Sequence, residues 1–170
     1  AVVTGELAES WEFPDDQTII FHIRKGVHWA LDPDNVASRL VGGRKLTADD
    51  IVFNLKREFD DPKTNLNSWA GKSRPVDIYA SDKDTVVVKA PLGQLGMTFE
   101  YASEYCRIMP PEVAAKYVDY QKWENSVGTG PFILKDYVPM SSVAWVRNPN
   151  YWMADPIGPG KGNQLPYLDR

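Results

Sequence analysis

Alternating apolar and polar residues predict three antiparallel β-hairpins along the chain. The pattern is clearest in the second strand of the first hairpin, where Ile19, Phe21 and Ile23 share one face and His22 lies on the other. A strand with this period of two is half-buried, so its apolar face is expected to pack on a core. The predicted strand pairs are residues 7–13 with 18–24, 76–80 with 84–89, and 132–138 with 142–148.

Apolar residues at helical spacing predict about three helices between and after these strands. The clearest helix begins at Thr47, whose hydroxyl can cap the first turn, and ends before Asp61-Pro62. A second helix is expected around Phe99, and a third from Pro111, because proline suits the first helical position. The remaining segments are predicted to be loops: residues 26–44 with one helical turn, residues 65–69, and a tail over residues 149–170.

Hairpins combined with helices predict an α+β fold. The 170 residues are 43% hydrophobic and 25% charged, which is typical of an ordinary globular chain, and we expect a single domain over residues 1–170. The apolar runs are far shorter than the roughly 20 residues that cross a bilayer. No signal-peptide pattern begins the sequence, so any leader or lipid anchor is expected to lie outside it.

Charge and the rare reactive residues exclude several kinds of function. With 19 basic and 23 acidic residues the net charge is −4, and no basic stripe is present to neutralise phosphates, so nucleic acid is not an expected partner. His22 and His28, the only histidines, match no zinc spacing. Cys106 lacks the local signature of a catalytic thiol and is expected to pack as a small hydrophobe. We therefore expect no metal and no cofactor.

Two further patterns have an ordinary structural interpretation. Residues 128–131 (GTGP) resemble a phosphate-binding loop, but they lack its Lys-Ser/Thr and precede a strand instead of a helix. Acidic pairs at residues 15–16, 49–50 and 60–61 fall at turns or helix ends, where capping and solvation explain them. Since no acid–base pair or nucleophile can be placed in a common pocket, the chain is not predicted to be an enzyme.

The six tryptophans are the candidates for contact with a ligand, because an indole has a broad apolar face and one hydrogen-bond donor. Trp11 and Trp145 fall in predicted strands and are expected to be packing residues. Trp69 falls in a predicted loop, where ligand contacts are more frequent. We therefore predict that Trp69 belongs to a ligand-binding site.

Three stretches, taken together and in order, resemble the bacterial extracellular solute-binding proteins of family 5, which deliver peptides, nickel complexes and some oligosaccharides to ABC transporters. They are LAESW to FHIRKGV in residues 7–27, LTADDIVF in residues 46–53, and GTGPF to RNPNYW in residues 128–152. Residues 162–169 (GNQLPYLD) are similar to an extension found in branches that include oligosaccharide binders. The segment from Trp29 to Gly43 is longer than the short turn of the family.

The resemblance implies a part of a type II periplasmic-binding-protein lobe: a segment of lobe I with its auxiliary subdomain, followed at residues 149–170 by a tail that leads into a missing remainder. It implies a peptide or oligosaccharide as ligand, an ABC permease as partner, and a periplasmic or extracellular location, with the membrane reached only through a missing lipoprotein anchor. Trp69, Glu104 and Tyr105 match regions that approach the ligand. The alternative is a protein–protein interaction module that uses aromatic loops.

Overall fold

The computed structural model describes residues 5–117 and 122–169. Its strands and helices confirm the predicted α+β class. In chain order they are β1 (Ala8–Asp15), β2 (Thr18–Ile23), α1 (Val36–Val41), α2 (Ala48–Asp60), α3 (Asn65–Ala70), β3 (Asp77–Asp82), β4 (Thr85–Lys89), α4 (Leu95–Glu100), α5 (Pro111–Lys116), β5 (Phe132–Val138) and β6 (Ser142–Arg147). Short 3₁₀ turns cover Gly71–Ser73 and Trp123–Asn125, and a π-helical turn covers Tyr101–Tyr105.

The chain divides into two compact units, each built from two segments. The first unit combines Ala1–Lys25 with Thr47–Ile108. The second combines Gly26–Leu46 with Met109–Arg170. Within the described residues, the helices are too short and too polar to cross a membrane.

The first unit contains one four-stranded antiparallel sheet in the order β1-β2-β4-β3. The first two predicted hairpins are both present, and they join because β2 pairs with β4, with Ile19 opposite Val88 and Phe21 opposite Val86. All four of these side chains are buried. The apolar face that the alternation predicts is therefore shared by two hairpins that are far apart in sequence.

Helix α2 covers this sheet and begins where the sequence predicts. The Thr47 backbone N–H donates to the Asp50 carboxylate at 2.9 Å, completing a capping box that satisfies the free amides of the first turn. Ile51, Leu55 and Phe59 then form a buried stripe on the side that packs across β3 and β4. Their spacing of four residues is the apolar period that indicated this helix.

Residues 26–44 were predicted to form a surface loop with one helical turn, and this prediction is wrong in part. Helix α1 is present, and Trp29 and Ala37 are fully buried at 0% and 1% exposure. The Asn35 side chain caps α1 by accepting from the Ser38 N–H at 2.8 Å, and Gly42 ends it in the left-handed conformation. The predicted helical turn is therefore present as α1, whereas the expectation of a surface loop is wrong, because apolar side chains of this segment are buried.

The β5–β6 hairpin of the second unit is confirmed, but much of its surface is open. Trp145 is 47% exposed, so the expectation that it is a packing residue is wrong within this chain. Tyr137 and Val143, which pair across the two strands, are also exposed. Among the described residues no third strand pairs with β5 or β6, and a hairpin of two strands leaves much of its apolar surface uncovered.

Residues 148–169, the described part of the segment after β6, contain no regular strand or helix, as predicted, but they fold back on themselves. The Asn148 amide donates to the Gly130 carbonyl at 2.8 Å, and its backbone N–H donates to Pro131. Further along, the Arg147 N–H donates to the Asp169 carbonyl at 2.8 Å. These bonds close residues 148–169 into a loop anchored at both ends.

Candidate functional site

Trp69 lies on helix α3 and not in a loop as predicted. The helix is anchored by Thr64, which caps its first turn, and by the Asn67 side chain, which donates to the Phe59 carbonyl at 2.7 Å. Leu66 and Ala70 are buried, whereas the Trp69 indole is 54% exposed. The helix thus fixes the backbone of Trp69 and leaves its ring available to a ligand.

Glu104 and Tyr105 lie in the π-helical turn that extends α4. The Tyr105 ring meets the Trp69 ring edge to face, with centroids 6.1 Å apart and planes at 88°. Tyr101 adds a third ring, 6.0 Å from Tyr105, at 68°. These three rings are called the aromatic cluster below. Glu104 is exposed beside it in sequence.

The two elements that carry the aromatic cluster are joined by hydrogen bonds. Thr98, which is fully buried on α4, donates from its hydroxyl to the Ser73 carbonyl at 2.8 Å. The Ser73 hydroxyl in turn donates to the Gln94 side chain at 2.7 Å. Because Ser73 follows α3 closely, these bonds hold the start of α4 against the end of α3. The relative positions of Trp69 and Tyr105 are therefore set by buried polar contacts.

A separate set of rings anchors α4 to the sheet. Phe99 stacks on Phe21 at 5.8 Å with planes at 11°, and it meets Phe13 edge to face at 5.2 Å. Trp11 lies 5.6 Å from the same ring. Trp11 is thus half-buried as a packing residue, in agreement with its predicted role.

The aromatic cluster offers apolar ring faces, an indole donor, two phenol groups and a nearby carboxylate. Rings presented this way suit the apolar and amide surfaces of a small organic solute, and they lose little conformational entropy on binding because each has only two side-chain torsions. Sequence reasoning selected Trp69 and Tyr105 but missed Tyr101. The spacing of four between Tyr101 and Tyr105, which brings side chains together on a helical surface, was the available signal.

The two histidines and the cysteine are not part of the aromatic cluster. His22 contacts the Glu12 carboxylate at 2.8 Å, and the His28 ring contacts the Gly26 carbonyl at 2.9 Å. Burial raises the pKa of the Cys106 thiol to about 12, which keeps it protonated and makes it slow to react. Within residues 5–117 and 122–169, no group of three or more His, Cys, Asp or Glu residues is arranged to hold a metal.

The remaining motifs behave as their structural interpretation predicts. The GTGP segment leads into β5, and its glycines engage through carbonyl oxygens, Gly128 accepting from the Ala30 N–H at 2.9 Å. Asp15 and Asp61 accept from backbone N–H groups two residues later, at 2.9 Å in both cases, as turn aspartates do.

The geometry is thus an α+β fold in which the Trp69 and Tyr105 rings are exposed on two anchored elements. Residues 2–170 match the bacterial extracellular solute-binding proteins, family 5, middle region. The chain belongs to this family. The resemblance read from the sequence is therefore confirmed.

Two relatives and one solved structure illustrate the similarity. The chain is 30% identical to the peptide transport periplasmic protein SapA of Salmonella typhimurium and 31% identical to the dipeptide-binding protein of Escherichia coli, with 91% of the chain covered in each case. OppA from Burkholderia pseudomallei superposes with a TM-score of 0.64 at 26% identity, covering 89% of the chain. The chain spans only 30% of SapA, 31% of the dipeptide-binding protein and 31% of that OppA chain.

Proposed function

We propose that this chain is a segment of lobe I, with its auxiliary subdomain, of an extracellular solute-binding protein that captures peptides and delivers them to an ABC permease. Trp69, Glu104 and Tyr105 form the part of the binding surface that the segment contributes. The observation that carries the proposal is the exposed edge-to-face pair of Trp69 and Tyr105, held by two anchored elements. Binding involves no bond chemistry, and we propose that the protein is not an enzyme.

The names of two relatives support a peptide as the ligand and a periplasmic location for the protein that contains this chain. SapA and the dipeptide-binding protein are named for peptide transport or dipeptide binding, and SapA is named periplasmic. We extend these properties to the protein that contains this chain, with a periplasmic or extracellular location and a lipoprotein anchor as its link to the membrane. An oligosaccharide is the alternative ligand, because the exposed indole of Trp69 also suits a sugar ring.

The exposed hairpin supports the assignment to a larger lobe. Tyr137, Val143 and Trp145 expose apolar area on β5 and β6, a pair of strands with no neighbouring strand within residues 5–117 and 122–169. Strands with this composition are typical of the interior of a larger sheet. We propose that β5 and β6 pack within the main sheet of lobe I, and that residues 149–170 lead from it into the rest of the protein.

Calorimetry on the full-length protein tests the role of the cluster. Mixed peptides and oligosaccharides are titrated first, and the tightest ligand is then titrated into Trp69→Ala and Tyr105→Ala. Removing a ring from a binding site costs about 1 to 2 kcal/mol, or roughly 5- to 30-fold in affinity. Tyr79→Ala is the matched control, because Tyr79 is 39% exposed against 41% for Tyr105 but lies on strand β3.

Three results bear on the proposal. A loss of affinity in both cluster variants, with Tyr79→Ala unchanged, supports it. Failure of the full-length protein to bind any peptide or oligosaccharide refutes the transport function. Unchanged affinity in Trp69→Ala and Tyr105→Ala refutes the assignment of the site.

A further inference from the structure

A cavity of about 520 Å³ lies within the first unit, apart from the aromatic cluster. Its described lining includes Ser103 and Glu104 of the π-helical turn but not Trp69 or Tyr105. Small-molecule sites typically have volumes of about 300 to 1,000 Å³ and a mainly apolar lining with a few polar groups. The volume is thus sufficient for a molecule of the size of an amino acid.

The wall of the cavity is aromatic and aliphatic. Trp11, Phe21 and Phe99 line it as the connected ring set already described, with Phe99 stacked on Phe21 at 5.8 Å. Ile23 and Leu55 complete the wall and are 4% and 2% exposed. A planar apolar group in this space would meet ring faces and edges, an arrangement that aromatic pairs favour beyond the area they bury.

Charged side chains of both signs border the same cavity. Glu104 and Arg107 line it, and both are exposed. The Arg107 guanidinium donates to the Glu104 carbonyl at 3.2 Å, which keeps the cation close to the residue that carries the carboxylate. A ligand with an ammonium and a carboxylate on one carbon complements such a pair, because each of its charges has an opposite partner.

We propose that this cavity binds an aromatic α-amino acid as the free zwitterion. The ring enters the apolar space beside Phe99, the ammonium pairs with Glu104, and the carboxylate pairs with Arg107. Every group involved belongs to the first unit, so binding needs neither lobe closure nor the aromatic cluster. The site shares Glu104 with the solute site proposed above, but it uses neither Trp69 nor Tyr105.

Cys106 is a built-in reporter of occupancy. It is the only cysteine of the chain, and it lines the cavity. Burial raises its pKa to about 12, so its alkylation by N-ethylmaleimide is slow, and a bound ligand would slow it further. The rate is followed on the folded 170-residue chain by intact mass. With ligand at about ten times its dissociation constant, the free fraction and hence the rate fall about tenfold.

Three probes distinguish the contribution of the aromatic ring to binding from that of the ammonium and the carboxylate. L-phenylalanine is expected to slow alkylation in a saturable manner. L-alanine carries the same charges without the ring, and N-acetyl-L-phenylalaninamide carries the ring without the charges, so both are expected to protect much less. Equal protection by either of them, or no protection by L-phenylalanine, overturns the proposal.

Two variants that fill the cavity provide the structural test. Ala102→Trp and Ser103→Trp place an indole in the lining, and each is first checked for folding by near-UV circular dichroism. In a folded variant, L-phenylalanine should no longer change the alkylation rate, whereas Ala144→Trp on the exposed hairpin should respond like the original chain. Protection that persists in either folded variant overturns the proposal. Peptide affinity of the full-length protein is measured separately, so either proposal can fail alone.

Discussion

The ion pair between Lys135 and Asp32 provides a sharp test of how the second unit is stabilised. Lys135 Nζ lies 2.7 Å from Asp32 Oδ2 and 2.9 Å from Oδ1. Burial raises the pKa of Asp32, but hydrogen bonds from Lys135 and from the Asp34 N–H outweigh it, and the net pKa lies below its usual value. Replacing Lys135 with methionine keeps most of the apolar stem and leaves a buried carboxylate without its cation.

The size of the effect follows from the exposure of the two side chains. Removing one partner of a fully buried pair costs about 3 to 5 kcal/mol, whereas exposed pairs contribute about 0 to 1 kcal/mol. The Asp32 side chain is 6% exposed and that of Lys135 is 33% exposed, so this pair lies between the two limits. We expect Lys135→Met to lower the free energy of unfolding by about 1 to 3 kcal/mol near neutral pH.

The pH dependence of this loss has a definite sign. Because the folded pKa of Asp32 is depressed, the stability from its ionised form is present above the ordinary carboxylate pKa and is lost as the pH falls through the folded value. In Lys135→Met the hydrogen bond and the charge of Lys135, which lower this pKa, are absent. The difference in the free energy of unfolding between the original chain and Lys135→Met should therefore become smaller below a pH of about 4.

Urea unfolding followed by tryptophan fluorescence, at neutral pH and at a pH of about 3, measures the gap. Lys122→Met, at an exposed lysine, controls for the substitution itself. Adding Asp32→Asn to Lys135→Met should recover part of the loss, because no buried charge then lacks a partner. Equal stability of the original chain and Lys135→Met at neutral pH, or a gap that widens in acid, would refute the reasoning.

The remaining predictions concern the support of the aromatic cluster and the closed loop. Thr98→Val removes the hydroxyl that donates to Ser73, so urea unfolding should show a loss of about 1 to 2 kcal/mol, and an unchanged midpoint would contradict the role of that bond. In the original chain the Tyr167 hydroxyl donates to the Asp155 carboxylate at 2.6 Å and lowers the pKa of that carboxyl. In Gly160→Ala the added Cβ collides with this hydroxyl. The Asp155 pKa should rise toward its usual value in an NMR titration; an unaltered pKa would show that Tyr167 keeps its place.

The local pattern of the chain was sufficient for most elements and for the family. Alternating residues such as Ile19 and Phe21 identified strands because each successive side chain faces the opposite side of a sheet. The apolar stripe of α2 and its Thr47 cap identified a helix. This signal is also local, because the first backbone amides of a helix need hydrogen-bond partners close by in the sequence. The motifs that resemble family 5 lie on these same elements.

Tertiary packing decided the rest. Helix α3 has only six residues, too few to be stable alone, and it forms because Leu66 and Ala70 are buried by other segments. That is why the sequence predicted a loop at Trp69. The approach of Trp69 to Tyr105 joins residues 36 positions apart through contacts such as Thr98 with Ser73, which no local period encodes. The sequence by itself therefore determined the elements, the family and two of the three clustered rings, while tertiary contacts alone determined that these rings meet.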